Sequence, residues 1–503
     1  MQYNDGVNRL TLRTLFVCAT LLAVTAVSYA NALRGAFQYD DFYTILINPH
    51  LRDLHTFIDH LDHMVRPVLH GTFLLDRFLY ENTPVGYHLL NLLLHLASGC
   101  LVYLILTWAV TDEIPFVPFW TALLFLLHPL QTETVTYISG RASGLMAFLY
   151  LLAFFLFIKA SVKRNDDAIN RLYLLGAIAS FLLSLGSKET AMTFPLALLL
   201  WDVVIRRLKG VALRRAFLFW HLPFWGVLLA IAVWAWWHPR YRELAQFSLE
   251  IRPFWDNLLS QVHGTVYALM LFFCPWKQNF DHDLPEFHSP FQWPLPLELL
   301  ILGGMVTASV VAARRFPLIT FGLGWFFIQI LPTALIPRND LLSERNLYLA
   351  SVGLMLAIVI LGTRVGQWLP TLSPRPHLVR LGVSGVSLTV VLVLCLVTFQ
   401  RNALYRDPIL LWSDTIKKSP QKARPHNNLG HALARAVVPV PWDRPSANDS
   451  RHSDSTACSA AGRRRLASGR VVRLRTGGGE PACRKIRSLR GSGHRRPPRN
   501  CPA

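Results

Sequence analysis

The sequence predicts an all-α, polytopic membrane protein. Three observations point there. Apolar runs long enough to cross a bilayer recur from residue 12 to residue 400. Only 16% of the residues are charged and 52% are hydrophobic, whereas a soluble domain carries about a quarter charged residues. Lys and Arg gather in alternate connections between the runs, the pattern of cytoplasmic loops.

The apolar runs place about eleven spans, near 12–33, 87–109, 116–131, 144–160, 172–187, 190–205, 216–237, 296–313, 318–337, 347–364 and 379–400. Several are short of the roughly 20 residues that a straight span needs. Lys159, Lys163, Arg164 and Arg171 mark one cytoplasmic loop, and Arg206, Arg207, Lys209, Arg214 and Arg215 the next. Arg314, Arg315 and the connection from Arg364 to Arg380 mark two more, while Arg9 and Arg13 set the N-terminus inside. The loops left outside are 34–86, 132–143, 186–190, 238–295 and 338–346. This alternation requires that 257–275 does not span, so it is read as an interfacial or re-entrant helix.

The formal charge of +20 does not make the body a nucleic-acid binder, because roughly half of it follows Val437. The seven cysteines show no CxxC and no metal spacing. Cys18, Cys100, Cys274 and Cys395 lie in or beside apolar runs, where Cys is usually a small hydrophobe.

The polar clusters sort with the basic loops. Asp40-Asp41, the run His128 to Arg141 with Gln131 and Glu133, and Lys188-Glu189 all fall outside, as do Asp281-His282-Asp283 and Glu344-Arg345. Singly, each reads as a snorkelling or capping residue; together on one face they are what an active site at a membrane surface needs. Paired carboxylates among aromatics suit general-base chemistry, although Asp is also common at helix N-caps and in solvated loops. The first outer loop carries Arg66-Pro67 and a helical apolar pattern through Leu69, Phe73, Leu74 and Phe78, suited to a helix on the surface. His88, Asn91 and His95 share one face of the next span, for helix packing or for substrate contact. No carboxylate or thiol sits at the spacing of a zinc site; a divalent metal stays open.

After the last span, His426 to Ala434 holds Leu429-Gly430-x-x-Leu433 behind Pro420, the placing found in a tetratricopeptide repeat. A partial repeat is expected over 401–435. From about 436 to 503 Arg, Gly, Ser and Pro dominate, the composition of a disordered tail and of a truncated or frame-shifted repeat array.

The ordered set Tyr39-Asp40-Asp41, Asn48-Pro49-x-Leu51-Arg52, Arg66-Pro67, Gly86-Tyr87-His88 and His128-Pro129-Leu130-Gln131-x-Glu133 continues through Ser139-Gly140-Arg141 and Ser187-Lys188-Glu189-Thr190. It ends with Asp281-His282-Asp283 and Glu344-Arg345-x-Leu347-Tyr348-Leu349. It resembles the transmembrane and tetratricopeptide repeat-containing proteins and their bacterial relatives, which stand with the protein O-mannosyltransferases in the GT-C class. The resemblance covers about residues 10 to 435 and implies a GT-C-like glycosyltransferase core over 1–400. The donor would be a polyprenyl-phosphate sugar such as mannose, and the acceptor a Ser or Thr hydroxyl of an exported protein. The reaction would face the periplasm from a bacterial inner membrane. By similarity Asp40 or Asp41 is the base. Arg141, Lys188 and Arg345 would meet the donor phosphate, as cations suit a departing anion. Arg66, His88, Gln131, Glu133, Glu189, Asp281, His282, Asp283 and Glu344 would contact substrate. No Gly-rich nucleotide loop appears, which fits a lipid donor. The rival readings are a secondary transporter and a non-catalytic membrane anchor for a repeat scaffold.

Overall fold

The computed structural model describes residues 2–110, 114–161 and 167–437. Lys163 and Arg164 of the expected basic loop, and the tail from residue 438, lie outside the described residues. Within those residues all regular structure is helical. Among the described residues, eight helices are long and apolar enough to cross a membrane: Pro84–Thr107, Ile138–Ser161, Ala168–Leu185, Gly210–Trp237, Leu295–Ala312, Pro317–Leu335, Tyr348–Leu372 and Pro376–Leu404. The chain is an integral membrane protein.

About eleven spans were expected, and the difference has local causes. Leu12–Ser28 and Val117–Leu127 are apolar but shorter. The stretch at 190–205 comes in three pieces, Glu189–Thr193, Phe194–Leu200 and Trp201–Ile205. Pro195 has no amide hydrogen and clashes with a preceding turn, so the α-helix starts only at Phe194. Phe254–Phe273 is 20 residues long but too polar to stand among the eight. Its polar residues serve packing: Asn257 Nδ2 donates to the Ala334 carbonyl at 2.8 Å and Gln261 Nε2 to that of Leu341 at 2.8 Å.

Proline opens many helices, at Pro67, Pro84, Pro317, Pro376 and Pro408, where its missing donor costs nothing. The main core joins several spans through aromatic rings. Phe154 lies 5.4 Å from Trp325 and 5.5 Å from Trp201, and Phe194 lies 5.2 Å from Phe224. Pro317–Leu335 crosses Tyr348–Trp368 at Gly322 and Gly353, where a Cβ on either would collide with the other's carbonyl. Pro376–Leu404 instead leaves Leu381, Val386, Leu388 and Leu392 exposed, a face for lipid.

In the first long loop, Pro67–Tyr80 buries Leu69, Phe73 and Asp76 against the bundle. It leaves Leu75, Phe78 and Leu79 exposed. Beyond the last span, Pro408–Lys418 and Ala423–Val437 pack on each other. The second also reaches the first loop, with the Arg435 guanidinium 4.0 Å from the Phe42 ring centre.

Candidate functional site

The inter-helix connections that carry the polar clusters meet in one network. The loop 35–42 is held from two sides. The Tyr405 carbonyl accepts from the Ala36 amide at 3.1 Å and from Gln38 Nε2 at 3.0 Å. Asp41 holds the other side. Its Oδ1 accepts from the Ser139 amide at 2.8 Å and from Ser139 Oγ at 2.5 Å, and its Oδ2 from the Gln38 amide at 2.8 Å. Asp41 is wholly buried. Burial pushes its carboxyl up to about 7 against the pull of those donors.

Asp40 is placed differently. It is half-buried, its amide donates to Tyr137 Oη at 3.1 Å, and its carboxylate has no partner among the described residues. Tyr39, just before it, has φ 38°, a conformation that side chains other than glycine rarely adopt. That bend lays the Tyr39 ring 5.5 Å from Trp412.

Next to this loop lies a small pocket, partly open to the surface, lined by Tyr39, Glu133, Phe280, Asp281, Asp340, Ser343, Arg345, Trp412 and Arg424. Glu133 is buried, which raises its carboxyl above the ordinary range although Arg345 opposes this. It accepts from Ser343 Oγ at 2.9 Å and from the Arg345 amide at 3.1 Å. The Arg345 guanidinium stands 3.7 Å from Glu133 and 5.6 Å from the Tyr137 ring centre. Burial works against its charge, but Glu133, with Tyr137, Asp40 and Asp340, outweighs that and keeps Arg345 protonated. Behind it, Glu344 is fully buried between His282 Nε2 at 3.0 Å and Arg401 Nη2 at 2.8 Å. Burial raises its carboxyl, but Arg401 and His282 outweigh that and hold it below the usual range.

Lys188 is 4% exposed and donates to Ser143 Oγ and Asn346 Oδ1, both at 2.7 Å, with no carboxylate of the described residues within ion-pair distance. Burial, followed by the nearby Arg338, drives its amine well below the ordinary lysine range. Glu189 beside it is taken by others: Arg66 holds it through Nε at 3.1 Å and Nη2 at 2.9 Å, and Arg338 at 2.7 Å. Burial opposes this pairing, yet the two guanidiniums bring Glu189 down to about 2. Asn346 also lines a second small pocket between Phe254–Phe273 and Pro317–Leu335. Ser343 lines both cavities.

Not every residue singled out from the sequence reaches this place. Arg141 is fully buried in a separate ion pair, its Nη2 2.5 Å from Asp76, with Nε donating to Asn91 at 2.7 Å and Phe73 4.6 Å below. It is a packing cation and no free phosphate ligand. His88 bonds the Gly35 carbonyl at 3.1 Å, and Gln131 donates to Ser351 Oγ at 2.9 Å; both are buried. The His88, Asn91 and His95 stripe thus serves helix packing, with His95 2.8 Å from Tyr348 Oη. Asp283 is exposed beside the network. Asp281 is bound by Arg424 and by Lys422 at 2.5 Å, which hold it below the usual range against the effect of burial.

Sequence reasoning missed Arg338, Asp340, Trp412 and Arg424 as site residues. The first two stand in the loop that carries Glu344, so loop membership was a usable signal. Trp412 and Arg424 gave none, because they follow the last span. Among the described residues no three His, Cys, Asp or Glu are grouped to hold a metal ion.

No family model matches the chain. It is 24% identical over 435 residues to protein O-mannosyl-transferase F38B6.6 of Caenorhabditis elegans, covering 82% of this chain and 59% of that protein. It is 25% identical over 516 residues to protein O-mannosyl-transferase Tmtc3 of Drosophila melanogaster, covering 85% and 54%. Human protein O-mannosyl-transferase TMTC1 is 35% identical over 155 residues, 27% of this chain and 17% of that one. The chain therefore spans less than two thirds of these relatives' lengths. Among solved structures, ArnT from Cupriavidus metallidurans, bound to undecaprenyl phosphate, aligns with a TM-score of 0.38 and 13% identity. That alignment covers 85% of this chain and 80% of that one. Relatives that are named transferases are what this chain is similar to over most of its described length.

Proposed function

We propose that the protein is a GT-C type membrane glycosyltransferase that moves a sugar, mannose by resemblance, from a polyprenyl phosphate to a hydroxyl of an exported protein on the outer face. The observation that carries this reading is the division of labour among the carboxylates. Asp41, Glu133, Glu189, Asp281 and Glu344 are each engaged by fixed donors. Asp40 stays open on a strained bend, next to an aromatic-walled cavity and within the field of Arg345. In this reaction the acceptor oxygen bonds to the anomeric carbon, its proton passes to the Asp40 carboxylate, and the bond to the phosphate oxygen breaks. The leaving group is the anionic lipid phosphate.

Lys188 and Arg345 are the cations suited to that phosphate. Lys188 has neutral bonding partners, so an incoming anion gains a counter-charge without displacing a carboxylate. The names of the relatives agree with the sugar and the acceptor class.

The test is transfer from radiolabelled polyprenyl-phosphate mannose in membranes. Asp40→Asn keeps the shape of the group and should cut transfer by roughly 10²–10⁴-fold, the usual worth of a positioned base, with donor binding retained. Full transfer by both Asp40→Asn and Asp41→Asn would sink the mechanism.

A further inference from the structure

We infer that the cavity beside Asp40 is the subsite for the donor's sugar ring, and that its outer wall is built by the helix pair that follows the last span. This rests on the transferase reading above. A hexose presents an apolar C–H face and a rim of hydroxyls. The cavity presents the matching surfaces.

One side is aromatic. Trp412 stands 5.5 Å from Tyr39 and 5.3 Å from Phe280, edge to face in both pairs, so three rings form one wall. The other side carries Glu133, Asp340 and Arg345, groups that accept from or donate to hydroxyls. A pocket that is apolar on one side with a few converging polar groups fixes the orientation of a small ligand.

The helix pair does more than cover this cavity. Arg424 pairs with both Asp281 and Asp340, and so ties two outer loops together across the opening. The loop that carries Phe280 is held by the same segment. Lys418 Nζ donates to the Gln278 carbonyl and Lys422 Nζ to that of His282, both at 2.8 Å, and Asn279 donates to Ser419 Oγ at 2.8 Å. Trp412 is therefore a sugar-contacting residue and Arg424 a positioning residue, both from outside the membrane bundle.

The experiment compares two probes on the purified full chain: polyprenyl-phosphate mannose and the same polyprenyl phosphate without sugar. Wild type should bind the mannosylated lipid more tightly. Trp412→Ala should weaken it about tenfold, the order of one aromatic contact, and leave the sugar-free lipid within about twofold. Trp412→Phe keeps a ring and should restore most of the loss. Arg424→Gln, with a partly exposed side chain, should also lower the preference for the mannosylated lipid, and it serves where Trp412→Ala fails to fold. Equal weakening of both lipids, or of neither, overturns the sugar subsite. Wild type that binds neither lipid overturns the transferase reading itself, a result visible before any variant is made.

Discussion

Asp40 and Asp41 are adjacent, yet only one is held by three donors. Asp41 pins the loop to Ser139, and its carboxyl sits near 7 in the fold against the ordinary 3.8. A raised carboxyl stabilises the fold fully below its unfolded value and loses that contribution as pH rises through about 7. Asp41's contribution to thermal stability in detergent should thus be lost as pH rises from about 4 to about 7, and the drop over that range should be smaller in Asp41→Asn. Lys188 is expected to behave as a titrating ligand. Its amine is depressed by burial, and an anionic phosphate beside it would favour protonation of that amine and so restore its charge. Donor affinity should therefore fall as pH rises, below the ordinary lysine range. Lys188→Gln should bind donor more weakly with a flatter pH profile. An unchanged profile would remove Lys188 from the phosphate site. These residues were visible in the sequence as polar islands at span ends. Which member of each island was free was not visible, because partners such as Ser139 and Asn346 lie far along the chain.

At the scale of elements, the membrane bundle is fastened by charges that the sequence made look catalytic. Arg141 joins the Pro67–Tyr80 helix to the start of its own span through Asp76. Removing one partner of a buried pair leaves the other charge without compensation, at a cost of ~3–5 kcal/mol. Asp76→Ala should therefore cost more stability in denaturant unfolding than the double variant Asp76→Leu with Arg141→Met. If the double variant is the less stable of the two, the pair is more than packing. The buried face of Pro67–Tyr80 follows Leu69 and Phe73, as the helical period requires, but Phe78 points out. Periodicity marks a helix with an apolar face; it does not say which of two apolar faces meets protein and which meets lipid.

At the scale of the whole molecule, the helix pair over 408–437 belongs to the same packed unit as the spans. A chain ending at Pro439 keeps Arg424 and Arg435 and should transfer sugar as the full chain does. A chain ending at Arg406 loses Trp412 and Arg424, and should lose donor preference and transfer while still inserting in membranes. Equal activity of the two truncations would separate the pair from the site. The sequence by itself determined the helical class, the membrane setting and the order of the polar clusters, because hydropathy and helical period are local properties read over a span's own length. It also placed Glu133, Lys188, Asp281, Glu344 and Arg345 as candidates. Only the tertiary structure decided that Arg141, His88 and Gln131 are packing groups, that Asp41 is engaged while Asp40 is open, and that Trp412 and Arg424 complete the cavity. The physical reason is that pairing and burial are set by residues hundreds of positions apart: Glu133 meets Ser343, Gln38 meets Tyr405, and Asp281 meets Arg424. No periodicity along the chain encodes such meetings.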